Sequence, residues 1–246
     1  MDLRIVRHDM FAGACADAFL EVIDGFARPV VGLATGNSPI PLYDEVRQRV
    51  YGMRVDLSAV RPFAIDEYGG SRDHHCSNHS FFERYWASIP GVEPVHEFNS
   101  EAQELSVECA AFAVALEKAG GLDVVVLGIG ANGHLAFNEP GTAKDAPARV
   151  ARLAPETMES ARVCWQDETP AHGLTLGMRE LLSARKALLL ANGSRKAAIV
   201  ARALRGEVGL DCPASFLQEH PGLTVVLDEA AARELSRREP GAPARG

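Results

Sequence analysis

The chain has 246 residues, of which 47 % are hydrophobic, and a formal net charge of −8. That length suits one α/β domain, taken as residues 1–246 with 237–246 as a frayed tail, and the apolar content suffices for a proper core. Disorder and a disulfide-stapled miniprotein are thereby excluded, and the acidic balance argues against a nucleic-acid partner, which wants a basic surface. A phosphorylated substrate stays open, because a few amides and one lysine can hold a phosphate locally. No run approaches the ~20 apolar residues of a membrane span. The start, MDLRIVRHDM, lacks the layout of a secretory signal, so the expectation is a soluble cytoplasmic protein with no membrane partner. The five cysteines (15, 76, 109, 164 and 212) have no C-x-x-C spacing. Most are expected to be small core hydrophobes in a reducing compartment.

In chain order, residues 9–26 have helical periodicity, with Phe11, Cys15, Phe19, Val22 and Ile23 on one stripe. Residues 30–34 form an apolar strand that runs into TGNSP and then a helical stretch over 40–51. A second apolar run, 62–65, stops at Asp66-Glu67-Tyr68-Gly69-Gly70. A histidine-rich polar loop (SRDHHCSNHS) leads to a helix near 81–87. The amphipathic segment 101–119 feeds a strand at 124–127, which ends in the glycine-rich turn GIGANGH. Residues 142–172 are irregular, and they are the candidate for a lid over a nearby site. Residues 174–182 read as helix, 187–191 as strand, 195–204 as helix, 223–227 as strand and 228–237 as helix. Apolar strands alternating with helices predict an open, mostly parallel, Rossmann-like α/β sheet with helices on both faces.

Polar chemistry concentrates in three loops that follow three different strands, where open α/β sheets bind ligands. Gly36, Asn37 and Ser38 precede a helix, and exposed N–H groups at its positive end suit a phosphate; an ordinary helix cap explains them equally well. Asp66 and Glu67 end a strand, and partial burial there can raise a carboxyl pKa into a useful range; capping or an ion pair with Arg72 is the alternative. In the third loop, His134 can titrate near neutral pH and Glu139 can orient it. Gly128, Gly130 and Gly133 literally match G-x-G-x-x-G. However, the helix-breaking NEPG that follows, with no strand after it, argues against a dinucleotide site. Lys196, after Gly193-Ser194, can add an ammonium to the same phosphate. His74, His75 and His79 lack any zinc-motif spacing and read as a solvated loop.

The segments GLATGNSP, FAIDEYGG, GIGANGHLAFNEPG and GSRKA, in that order, resemble the glucosamine-6-phosphate deaminase family. The similarity continues through LTLGMRELL and DCPASFLQEHPGLTVVLDEAA. The superfamily also holds 6-phosphogluconolactonases and sugar-phosphate-sensing domains; NEPG and the tyrosine of DEY favour the deaminase branch. The resemblance implies a phosphorylated amino sugar as partner and neither metal nor organic cofactor. It implies that Asp66 moves a proton between C2 and C1, that His134 opens the pyranose ring, and that Glu139 sets the orientation and charge of His134. Gly36, Asn37, Ser38 and Lys196 would hold the 6-phosphate. Alternatives are a sibling isomerase or lactonase, and a catalytically silent sensor.

The chain also departs from the family pattern. Asn132 stands where the family has an aspartate, next to the histidine it would charge; restoring Asp is expected to raise deaminase activity if the amide is a handicap. A phosphate-gripping arginine is expected near residue 163, which is Val163 here, and a one-residue register shift would supply Arg162. Of the basic contacts that allosteric members place in 142–151, only Arg149 is recognisable.

Overall fold

A computed structural model describes residues 1–235; the expected tail, 237–246, lies outside the described residues. Strands and helices follow in the order β1 (Asp2–Val6), α1 (Phe11–Ile23), β2 (Val30–Leu33), α2 (Ile40–Tyr51), β3 (Arg61–Ala64), β4 (Asp66–Tyr68), α3 (Asn78–Tyr85) and α4 (Leu105–Lys118). The second half continues with β5 (Val124–Leu127), β6 (Arg149–Arg152), α5 (Pro155–Trp165), β7 (His172–Thr175), α6 (Met178–Leu182), β8 (Lys186–Ala191), α7 (Ala197–Arg205), β9 (Leu223–Asp228) and α8 (Glu229–Ala232).

The main sheet has the order β1-β9-β8-β5-β2-β3, and every neighbouring pair is parallel. A strand covered on both faces needs apolar residues at consecutive positions, because successive side chains point to opposite sides. Val31, Leu33, Val124, Val126, Leu188 and Leu190 accordingly pack on one face with Phe11, Phe19 and Val22 of α1 and Leu42, Tyr43 and Val46 of α2. Their alternates Val30, Val125, Leu127 and Leu189 pack on the other with Phe112 and Leu116 of α4 and Val200 and Leu204 of α7. Each fully buried side chain of this size contributes about 1.5–3 kcal/mol.

The fold class matches expectation, and three local readings need correction. Beyond the five expected strands, β1 adds an edge, and β4, β7 and β6 form a separate antiparallel sheet in that order. The segment 174–182, expected as one helix, divides at Gly177: β7 precedes it and α6 follows it. Leu174 and Leu176, two residues apart, are strand-spaced, whereas Met178 and Leu181 are helix-spaced; all four are buried. The Gly177 N–H donates to Glu180 Oε2 (2.8 Å), closing the first turn of α6. The irregular stretch 142–172 holds β6 and α5, so the lid candidate is an ordered helix carried between two strands of the small sheet.

From β2 the chain steps outward to β3, whereas from β5 it steps the other way to β8. The two directions part between β2 and β5, and the crevice at such a point, beyond the strand carboxyl ends, is where open sheets bind ligands.

Candidate active site

A cleft of about 630 Å³ opens at that point. Thr35, Gly36, Asn37 and Ser38 line it from the end of β2, Asp66 and Tyr68 from β4, and Gly128, Ile129, Gly130 and His134 from the turn after β5. Arg195 and Lys196 enter from the 3-10 turn before α7, and Thr157, Glu159, Ser160 and Val163 from α5.

Asp66 is the first residue after the chain leaves the main sheet, where β4 turns to pair antiparallel with β7. Asn78, at the start of α3, donates through Nδ2 both to Asp66 Oδ1 (2.7 Å) and to the Asp66 carbonyl (2.9 Å). The Thr35 hydroxyl donates to Asn78 Oδ1 (2.9 Å), so one amide ties the β2 loop to the carboxylate. Burial, reinforced by the neighbouring Glu67 charge and opposed by the Asn78 hydrogen bond, pushes the Asp66 carboxyl up to about 8. Glu67 points away from the cleft lining and accepts the N–H groups of Tyr68, Asn78 and His79, each at 2.8 Å. It holds the start of α3, and burial raises its own carboxyl to about 7 against those three bonds.

The imidazole of His134 rests on Gly130, where a Cβ would lie 2.3 Å from the ring. No other residue fits under it. His134 Nδ1 lies 3.2 Å from Glu139 Oε2 and 3.1 Å from Thr157 Oγ1. Asn132 bridges the same pair: Nδ2 donates to Glu139 Oε2 (2.9 Å), and Oδ1 accepts the His134 N–H (3.2 Å). The Ala154 N–H, just before α5, donates to Glu139 Oε1 (3.1 Å). Burial works to raise the Glu139 carboxyl, but the contacts with His134, Thr157 and Asn132 outweigh it and hold the group at about 2. Glu139 is therefore an anion at neutral pH, fixed against one ring nitrogen, while the rest of the ring faces the cleft.

In the loop after β2, Gly36 adopts φ +94°, a left-handed conformation that favours glycine. The Ser38 hydroxyl donates across to Asn192 Oδ1 (3.1 Å). Lys196 Nζ donates to the Ile129 carbonyl (2.6 Å), and burial, followed by repulsion from Arg195, lowers its pKa. Two cations and a glycine loop make this part of the cleft suited to an anion.

Among the expected residues, Gly36, Asn37, Ser38, Asp66, His134 and Lys196 line one cleft, with Asn132 and Glu139 directly behind His134. Arg162 does not join them. It lies on the outer face of α5, with its side chain 62 % exposed beside Glu159, while Val163 takes the lining position. Neighbouring residues on a helix point about 100° apart, so no register shift of the kind a loop allows brings Arg162 inward. Arg195 supplies the second cation instead. Asn78 and Thr157 were not legible as site residues; the only signal was the place of Asn78 after Ser77, a helix N-cap. Arg149 turns inward, donating to Asn138 Oδ1 (2.8 Å) and Thr142 Oγ1 (3.1 Å).

The cysteine reading also changes. Cys15, Cys109 and Cys212 are buried free thiols, as expected, but Cys76 and Cys164 form a disulfide. His74, His75 and Cys76 keep their potential ligand atoms within 4.8 Å of one another, with the Cys76 sulfur committed to that bond.

The fold and cleft define an α/β protein whose cleft gathers a glycine loop and two cationic side chains with a buried carboxyl and a histidine backed by a carboxylate. The family described as Glucosamine-6-phosphate isomerases/6-phosphogluconolactonase matches residues 7–226, and the chain belongs to it. It is 37 % identical over 236 residues to glucosamine-6-phosphate deaminase of Rhodopirellula baltica, covering 94 % of each chain. It is also 37 % identical to glucosamine-6-phosphate deaminase 1 of Giardia intestinalis, covering 89 % of this chain and 84 % of that one. A solved monomeric glucosamine-6-phosphate deaminase superposes with a TM-score of 0.90 at 29 % identity, covering 95 % of this chain and 99 % of the other. The 6-phosphogluconolactonase of Trypanosoma brucei shares the fold, with a TM-score of 0.74 at 21 % identity over 96 % and 98 % of the two chains. No helix among the described residues is long and apolar enough to cross a membrane.

Proposed function

We propose that the protein converts glucosamine 6-phosphate and water into fructose 6-phosphate and ammonia. The observation that carries this reading is the pairing, in one cleft, of a buried carboxyl held near neutrality with a histidine backed by a permanent anion. Deamination by isomerisation needs both. A proton must leave C2 and arrive at C1, which asks for one carboxylate able to give back what it takes; Asp66 has that pKa. The pyranose ring must first open, which asks for an acid–base group at the ring oxygen. His134, with Nδ1 fixed by Glu139, presents its other side for that task. Loss of the proton at C2 leaves an enolamine, protonation at C1 gives a ketimine, and water then releases ammonia. Gly36, Asn37, Ser38, Arg195 and Lys196 anchor the 6-phosphate, so that remote binding fixes the reacting carbons. The relatives named as deaminases support the same substrate. The discriminating test is ammonia release from glucosamine 6-phosphate set against hydrolysis of 6-phosphogluconolactone; lactone turnover without ammonia would overturn the reading.

Asn132 has a definite part in this reading, and its contacts favour a drop on substitution over the rise that a handicapping amide would give. Its Nδ2 donates to the same Glu139 oxygen that faces His134. An aspartate there would keep the bond to the His134 N–H but set a second carboxylate against the first, and two carboxylates at that range tend to share one proton. Asn132→Asp is expected to lower kcat about tenfold at pH 7. A rise in kcat would contradict this assignment.

A further inference from the structure

We propose that Cys76 and Cys164 are a redox-modification site: a reversible disulfide that straps α5 to the loop before α3 and is opened by exchange with a dithiol reductant. The proposal rests on the reading of the cleft as the active site only for its effect on turnover; the strap itself stands on geometry.

The bond joins residues 88 apart in sequence, with Cα atoms 6.0 Å apart. What it connects are two supports of the cleft. Cys76 lies two residues before Asn78, the amide that holds Asp66. Cys164 lies in the last turn of α5, two turns beyond Thr157, whose hydroxyl touches His134. This end of α5 is also held by packing: Ala161 is buried, and Trp165 stacks on His74, with ring centroids 3.9 Å apart and planes 9° apart, and packs against Tyr68 at 5.5 Å. Glu156 and Arg162 face solvent, away from the cleft lining. The helix is thus pinned at its start by Ala154 and Thr157 and at its end by an aromatic stack plus the disulfide.

Access sets this pair apart from the other thiols. Cys164 is exposed and Cys76 half-buried, whereas Cys15, Cys109 and Cys212 are buried, and burial raises their pKa. His74 and His75 have ring nitrogens within 4.8 Å of the Cys76 sulfur and can donate to a thiolate leaving it. Opening is ordinary exchange. A thiolate of the reductant attacks one sulfur and expels the other. Its second thiol then resolves the mixed disulfide, leaving Cys76 and Cys164 as thiols and the reductant as a cyclic or paired disulfide. Two electrons and two protons pass to the protein. Closed, the strap holds the end of α5 against the loop before α3, which favours substrate capture and slows release; open, it frees the helix end.

The test compares oxidised and dithiothreitol-reduced wild type, Cys76→Ser and Cys164→Ser, all in chelator so that the freed thiols and imidazoles hold no metal. Non-reducing peptide mapping is expected to link 76 with 164 in oxidised wild type. Amides of α5 are expected to exchange about tenfold faster after reduction. Both serine variants should match the reduced protein and ignore oxidant. With glucosamine 6-phosphate, reduction is expected to raise KM and kcat together. Absence of the linked peptide, equal exchange in the two redox forms, or an equal redox response in Cys76→Ser would each overturn the proposal. Mapping and exchange need no turnover, so a redox-responsive α5 in a protein that makes no ammonia would fail the deaminase reading and leave this one standing.

Discussion

Asp66→Asn is expected to reduce kcat for ammonia release by about 10³-fold or more while leaving KM within a few-fold of wild type. The amide keeps an oxygen for Asn78 Nδ2 and disturbs none of Gly36, Asn37, Ser38, Arg195 or Lys196, so the phosphate anchor survives and the base alone is removed. Two pH measurements accompany it. Wild-type kcat/KM should rise with pH up to about 8, well above an ordinary carboxylate limb, because the base must lose a proton that burial retains. Stability should run the other way. The folded protein keeps the Asp66 proton between about pH 4 and pH 8 while the unfolded chain releases it, so wild type loses stability as pH rises through that window. The variant has nothing to titrate there, and its melting temperature should overtake that of wild type by pH 8. Retained turnover, or a KM raised as much as kcat falls, would remove Asp66 from the role of base.

His134→Ala is expected to cost about 10²–10⁴-fold in kcat, because the closed pyranose would then open only at its own rate. An open-chain analogue, the 2-aminohexitol 6-phosphate, needs no opening and should bind as tightly as it does to wild type. That pair of results separates a ring-opening group from a general binding residue. The variant also releases Glu139 from the contact that most strongly opposes the effect of burial. A carboxyl held at about 2 stabilises the fold above about pH 4.5 and loses that contribution as pH falls toward 2. Removing its partner should therefore cost on the order of 2 kcal/mol at pH 7 and nothing near pH 2. Equal weakening of substrate and analogue would contradict the assignment.

How much of this was legible in the chain depended on the kind of signal. β2, β5, β8 and β9 are apolar at consecutive positions because helices cover both faces, and that pattern is visible without neighbours. β6 (RVAR) and β7 (HGLT) are short, partly polar and paired only with each other and β4, so their apolar residues form no run. In LTLGMRELL a strand period passes into a helix period at Gly177, and a window spanning both reads as helix. The loop residues were found because glycine, histidine and carboxylates at strand ends carry chemistry through their types. Asn78 and Thr157 were missed because their roles come from tertiary contacts 12 and 23 residues away along the chain. The Arg162 expectation failed on one fact, that its segment is a helix and not a loop. The strap between Cys76 and Cys164 had no sequence signal at all, since a pair 88 residues apart shares no local pattern.

The most direct measurement is product stoichiometry: purified protein, glucosamine 6-phosphate, no added cofactor, with ammonia and fructose 6-phosphate followed together. Equal amounts of both, lost in parallel in Asp66→Asn, are the expected result. Tight binding of the sugar phosphate with neither product formed would contradict the account.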